Sequence, residues 1–300
     1  QTLRYVNIFL MMFSMLLCFY VIGSRVYRAS ERIGPHVVLA VSAISVPMLA
    51  YNGSGVNNDN LTLIGIILFL WGLIRYYEDE IEWRTYLLVS GGFFISIFTK
   101  LVAGEILVIV LIGVVIGDLI RKKGFQVFTN KYFLGTMILF LIPVLYYLYI
   151  YYQYGTFQPS LQVLHPEYYK TTRFFVPEEN RGEVYSLQQY WNYYWPNFWK
   201  TWTILYGHAE WVKKTGRVFA QAGAYLIVIL VPIYTVRSCI QKKNEWPMCV
   251  AFTLAIVITA VTQFLSAYKT YCSAGYTGGY QARYYLCMIP FLAYCDALLD

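Results

Sequence analysis

Charge is what this sequence lacks first. Asp, Glu, Lys and Arg make up 13% of its 300 residues, about half of the roughly 25% usual in soluble domains. A chain this poor in charge cannot clothe a water-facing globule of its size. Histidine is scarce as well, with three in all, and no two stand at the HExxH spacing of a zinc hydrolase. There is no GxSxG nucleophile elbow and no phosphate-binding GxxxxGK[ST] loop, so familiar soluble hydrolase and nucleotide-binding chemistries are unsupported. The six cysteines, at 18, 239, 249, 272, 287 and 295, form no CxxC pair, which argues against a zinc site and against a disulfide framework. No sustained apolar–polar alternation marks barrel strands.

What is present is apolar sequence in long blocks. Hydrophobic residues reach 58%, and several blocks approach the roughly 20 residues with which an α-helix crosses about 30 Å of hydrocarbon. The expectation is an all-α, polytopic transmembrane helix bundle with an extracytoplasmic loop region. Apolar runs near 5–23, 36–51, 61–77, 85–99, 101–120, 132–152, 219–237, 246–266 and 284–299 give about nine membrane helices. The fourth and fifth are alternatively one re-entrant or tightly turned pair. Three regions follow: N-terminal membrane helices over 1–152, an aromatic-rich extracytoplasmic loop with interfacial helices over 153–218, and C-terminal membrane helices over 219–300. The chain opens on Gln1 rather than Met and ends just after an apolar block, and is read as a segment of a longer protein.

The net charge of +7 sits at the ends of apolar blocks rather than on a soluble patch, so nucleic acid is not an expected partner. The loops 24–35, 75–84, 121–131 and 237–245 carry twelve Lys and Arg, whereas 1–4, 51–60, 99–105 and 267–283 carry four. The positive-inside rule places the first set in the cytoplasm, and the acidic EDEIE at 78–82 does not alter this because the rule counts cations. The protein is thus expected to be integral to a cell membrane or an ER-type membrane, with its active site extracytoplasmic. The tract YSLQQYWNYYWPNFWKTW at 185–202 suits a membrane–water boundary, and its rings also suit a lipid tail or a sugar.

Three polar segments fall on the outer side. In YNGSGVNNDN at 51–60, Asp59 precedes an apolar helix, where a carboxylate caps backbone N–H groups. Asn57, Asn58 and Asp59 also crowd together after a flexible GSG, a group able to hold sugar hydroxyls or a divalent cation such as Mg or Mn, with Asp59 its ligand. Lys100 and Glu105 lie in GGFFISIFTKLVAGE, near the outer part of the bilayer, where charged groups are costly and are paired or functional. Lys100 either snorkels with Glu105 beside it or faces a cavity and neutralises phosphate. In GGYQARYYLCMIP, Arg283 offers a planar fork for phosphate, with Tyr280, Gln281, Tyr284 and Tyr285 around it. His208, after the aromatic tract, is the histidine nearest the expected cavity mouth.

Taken in order, LRYVNIFLMMFSMLLCFYVIGSR, GVNNDNLTLIGIILFLWGL, GGFFISIFTK and GGYQARYYLCMIPFLAY resemble segments of the polytopic GT-C glycosyltransferases. The likeness is to the protein-mannosyltransferase-like and aminoarabinose-transferase-like membrane proteins of bacteria in particular. It implies transfer of a sugar from a polyprenyl-phosphate carrier to a lipid, glycan or protein acceptor on the extracytoplasmic face. Asp59 would then correspond to the acid of the second outer loop, and Arg283 with Lys100 to the groups that steady the lipid phosphate. One departure stands out. The family's catalytic acid lies in the first outer loop, before the helix that opens this sequence, and no Asp or Glu precedes Glu31 here. The catalytic residue is therefore unassigned, with Asp59 the best acidic site residue. Two other classes are a lipid-linked glycan transporter or flippase and a non-catalytic membrane scaffold. The first expects paired midplane charges and matching broken helices.

Overall fold

The computed structural model describes residues 1–27, 45–55, 57–121, 129–206 and 214–299, with isolated positions 37, 40, 41, 210 and 211. His208 and residues 36, 38, 39 and 42–44 of the expected helix 36–51 lie outside the described residues. Within them the regular structure is helical, apart from a two-residue antiparallel pair, β1 (Leu205–Tyr206) with β2 (Glu210–Trp211). Five segments are long and apolar enough to cross a membrane: Thr2–Val26, Asp59–Tyr77, Leu101–Ile120, Gln221–Ile240 and Trp246–Ala274. These properties suggest an integral membrane protein.

Helix α1 (Thr2–Ile22) runs into a π-helical turn over Gly23–Tyr27. After α2 (Pro47–Ser54) comes α3 (Asp59–Tyr77), the most enclosed of the long helices, with 78% of its apolar window buried. It packs on α4 (Trp83–Thr99) through small residues. A Cβ on Gly92 would stand 2.4 Å from the Phe69 backbone N and 2.5 Å from the Gly65 carbonyl. Only glycine permits that approach, which is how apolar helices associate where lipid removes the hydrophobic drive between them. Lys100 alone separates α4 from α5 (Leu101–Ile120), with extended backbone at φ −156°. The two expected helices 85–99 and 101–120 thus meet at a one-residue break.

The segment expected at 132–152 is divided into α6 (Lys131–Thr136) and α7 (Ile138–Tyr154). Short helices α8 (Leu161–Leu164) and α9 (Pro166–Lys170) precede α10 (Leu187–Thr203). A capping box between Ser186 and Gln189 starts α10. Tyr190, Tyr194, Phe198 and Trp202, spaced every fourth residue, are buried against the bundle. Helices α11 (Lys214–Ile240) and α12 (Trp246–Ala274) follow. Two expectations are corrected here. Helix α12 continues eight residues beyond 266 and stops at Gly275, whose φ of +71° is a left-handed cap that glycine supplies freely. At about 1.5 Å per residue it is about 44 Å long, more than the about 30 Å of hydrocarbon that a crossing helix needs to span. The final segment is a 3-10 turn, Ala282–Met288, leading into a nine-residue α13 (Ile289–Ala297) that is buried throughout. Alone, α13 is too short to cross.

Contacts sort the connections to two ends. At one, Arg25 pairs with Glu78 and Glu80, each at 2.5 Å, Arg121 donates to the Asn244 carbonyl at 2.8 Å, and Arg237 donates to the Leu299 carbonyl at 2.8 Å. The described parts of the Lys- and Arg-rich loops therefore share this end. At the other, Asn60 donates to the Asn7 carbonyl at 3.1 Å, and Lys100 to the Arg283 carbonyl at 3.1 Å. The stretches 51–60, 99–105 and 275–283 meet there.

Candidate functional site

The YNGSGVNNDN stretch is mostly two helix ends. Tyr51–Ser54 close α2, and Asp59 and Asn60 open α3. Its amides hold the backbone together. Asn57 donates to the Asn52 carbonyl at 2.8 Å and accepts from the Asp59 N–H at 2.9 Å, while Asn58 donates to the Thr99 carbonyl. Asn60 reaches the Asn7 carbonyl and side chain, both at 3.1 Å, across to α1. Asp59 is not a side-chain cap. Asn58 occupies the cap position, without a side-chain bond, and Asp59 is the first helical residue.

The Asp59 carboxylate is engaged at both oxygens. Oδ2 accepts from Asn52 Nδ2 at 3.0 Å, and Oδ1 accepts from Lys100 Nζ. That ammonium also holds the Arg283 carbonyl and lies 5.2 Å from the centre of the Tyr284 ring, over which the Arg283 guanidinium sits at 5.4 Å. Asp59, Lys100 and Arg283, distant in sequence, thus converge. Lys100 reaches both because it is the hinge between α4 and α5, with no other residue to carry it away.

These groups line a polar hollow with two lobes that share Arg283 and Tyr284. The first, about 510 Å³, is bounded by Asn57, Asn58, Asp59, Lys100, Gln158 and Gln263 among others. The second, about 610 Å³, is bounded by Arg173, Phe174, Tyr276, Gly279 and Gln281 besides the shared pair. Asp59 is the one carboxylate among the described lining residues, and Lys100 neutralises it. Neither Arg283 nor Arg173 has a carboxylate partner among the described residues. The hollow accordingly carries net positive charge on two guanidiniums. Burial raises the Tyr276 hydroxyl above its usual range with help from Tyr284, and both arginines pull it back, so both act on the same point.

Not every expected residue arrives. Glu105 does not pair with Lys100; it accepts from the Thr262 hydroxyl at 2.7 Å and lines neither lobe. The Tyr280 ring turns toward α10, edge-on to Tyr193 at 5.9 Å, and burial pushes its hydroxyl up to about 12. Tyr285 points into an apolar groove of about 380 Å³ instead, with Trp191, Trp195, Phe198, Trp199 and Met288. That groove and the hollow lie on either side of the 3-10 turn 282–288, whose consecutive residues supply both. Among the described residues no group of three or more His, Cys, Asp or Glu is placed to hold a metal. A lone carboxylate already bound by an ammonium does not fit Mg or Mn, which need several oxygen ligands.

Sequence reasoning missed Arg173, Phe174, Tyr276, Gln158 and Gln263. Gln263 carried a signal, an amide within the apolar run of α12. Arg173 carried none, since a single arginine in a long polar loop is unremarkable by pattern. No protein-family model, no curated protein and no solved structure matches this chain.

Proposed function

We propose that this chain is a membrane glycosyltransferase acting on a polyprenyl-phosphate-linked sugar at the end of the bundle where Asp59, Lys100 and Arg283 meet. One observation supports the reading above others: a cationic polar hollow adjoins an apolar groove across a single 3-10 turn. An amphiphile with a phosphate head and an isoprenoid tail has matching chemistry. In this reading the Arg- and Lys-rich end is cytoplasmic, and the shorter apolar helices α4 and α7 cross beside the five long ones.

The transfer requires an acceptor hydroxyl oxygen to attack the anomeric carbon while the bond from that carbon to the phosphate oxygen breaks. The phosphate leaves with the bonding electrons, and the hydroxyl proton passes to a base. Arg283, with no carboxylate partner among the described residues, is the group that stabilises the negative charge on the departing phosphate. Lys100 has a different part. Neutralised by Asp59 and bonded to the Arg283 carbonyl, it positions the 282–284 turn. Asp59, engaged at both oxygens, orients rather than deprotonates. The resemblance assigns the base to an acid of the first outer loop, ahead of α1.

Turnover of a polyprenyl-phosphate sugar by the full-length protein in lipid nanodiscs tests this. Arg283→Ala is expected to lower kcat about a hundredfold, with partial recovery in Arg283→Lys. Wild-type turnover by Arg283→Ala would refute the assignment of the phosphate site. Wild-type protein that binds the carrier but transfers nothing would favour the transporter or scaffold class.

A further inference from the structure

The second lobe of the hollow is not needed to hold one lipid phosphate, yet it is a constructed feature. Its outer wall is the loop 171–181, which is hung on the protruding end of α12. The Val176 N–H donates to the Ala274 carbonyl at 2.8 Å, and Arg181 Nε donates to the Val176 carbonyl at 2.7 Å. Phe174 meets the Tyr276 ring edge-on at 5.3 Å. Close by, the Tyr185 N–H donates to the Tyr271 hydroxyl at 3.0 Å, and the Tyr268 hydroxyl donates to the Tyr185 carbonyl at 3.2 Å. Gly275 lies so close under this loop that a Cβ there would be 2.9 Å from both Val176 Cβ and Arg181 Nε. The loop is therefore held in place, and Arg173 with it.

Arg173 enters the lobe beside Phe174, 5.2 Å from that ring, and faces Tyr276, Gln281 and Arg283 across it. No carboxylate lines this lobe among the described residues. Two guanidiniums with a phenol and an amide between them have donors in excess and no anion to receive them. Both are exposed, so water screens their repulsion in the free protein, and an oxyanion entering the lobe meets donors from each. A neutral sugar does not require two guanidiniums; an oxyanion does.

The geometry points to a second anion site in this lobe, formed by Arg173, Gln281 and the far side of Arg283, that receives a phosphate or carboxylate group carried by the acceptor. The inference rests on the proposed function only for what bears the anion. With the carrier phosphate on one side of Arg283 and the acceptor anion on the other, Arg283 would set the two substrates at adjoining positions, and Arg173 would select acceptors by charge.

Binding measurements on the full-length protein in nanodiscs decide the matter, with farnesyl phosphate, farnesyl diphosphate, inorganic phosphate and acetate as probes. With farnesyl phosphate saturating, inorganic phosphate or acetate is expected to bind in addition. Arg173→Gln should weaken that second binding about tenfold and leave farnesyl phosphate within about twofold, while Arg173→Lys keeps most of it. Arg173 is exposed and makes no hydrogen bond to the fold among the described residues, so its variants should fold. If Arg173→Gln weakens farnesyl diphosphate and no free anion binds beside farnesyl phosphate, the second anion belongs to the carrier and the acceptor assignment is overturned. Equal binding of every probe by wild type and Arg173→Gln overturns the site itself. Failure of farnesyl phosphate to bind wild type, with phosphate binding still dependent on Arg173, removes the carrier reading and leaves the anion site standing.

Discussion

Replacing Asp59 by Asn leaves the Lys100 ammonium without its counter-charge. The two side chains are 11% and 14% exposed, so water solvates neither fully. Unit charges about 4 Å apart at an effective dielectric near 20 attract by about 4 kcal/mol. Withdrawing both from water costs a comparable amount, and the intact pair nets close to zero. Removing one charge keeps the desolvation and loses the attraction. For fully buried pairs that costs about 3–5 kcal/mol. Here each group touches solvent and keeps a second partner, Asn52 for Asp59 and the Arg283 carbonyl for Lys100, so about 2 kcal/mol is expected for Asp59→Asn and for Lys100→Met. The double variant, with no charge left to strand, should lose about 1 kcal/mol, a coupling of about 3 kcal/mol. Equilibrium unfolding in mixed micelles, followed by tryptophan fluorescence, measures all three. Additive losses, with coupling under about 0.5 kcal/mol, would show that the two side chains are not paired and would dissolve the geometry on which the site depends.

Gly92→Ala drives a methyl into the α3 backbone, 2.4 Å from Phe69 N, and is expected to lower stability by about 2 kcal/mol or more in the same unfolding assay. At the opposite end, the hydrogen bond from Arg25 holds Glu80 below the usual carboxylate range. A depressed folded value gives stability that is present above the unfolded value and lost as pH falls through the folded one. Glu80→Gln should therefore destabilise by under about 1 kcal/mol at neutral pH, the group being a third exposed, and the difference from wild type should vanish in acid. Burial raises Glu78 in the opposite direction, with Arg25 opposing, so Glu78→Gln should show a smaller loss at neutral pH than Glu80→Gln. In the groove, Trp195→Ala should raise KM for a long-chain polyprenyl carrier more than for a short-chain one. An equal effect on both would place the tail elsewhere.

Legibility in this sequence followed the solvent. Where lipid dictates composition, apolar blocks announced helices, and 61–77 and 101–120 differ from α3 and α5 by two residues or none. Where helix leaves the hydrocarbon, the rule lapses. SAYKTYCSA continues α12 beyond the length a crossing requires, with a polar composition, so 267–274 read as loop. The final block failed for another reason. Residues enclosed by protein on all sides are as apolar as residues in lipid, and composition cannot separate α13, buried among its neighbours, from a crossing helix. The convergence of Asp59, Lys100 and Arg283 was legible because each occupies a helix end, and helix ends have few places to go. Arg173 was not, because its position depends on a backbone bond between Val176 and Ala274 that no local pattern encodes.

The asparagines of the 51–60 stretch explain why the site can be so sparing in charge. A short connection between two apolar helices leaves backbone donors and acceptors that lipid cannot satisfy. Asn57, Asn58 and Asn60 satisfy several of them without adding charge, and Asn7 on α1 completes the set. Had lysines or aspartates filled those positions, their fields would have overlaid that of Arg283. Neutral amides instead leave the hollow's potential to the few groups that line it. Asp59 and Lys100 cancel one another, so among the described lining residues the field is set by Arg283 and Arg173. A second aspartate introduced at Asn57, on the wall of the first lobe, should accordingly weaken binding of an anionic carrier more than loss of the Asn57 amide bond does. Asn57→Asp against Asn57→Ser, compared by farnesyl phosphate affinity, separates the two effects. Equal affinities would mean that the field in the hollow is not what recognises the phosphate.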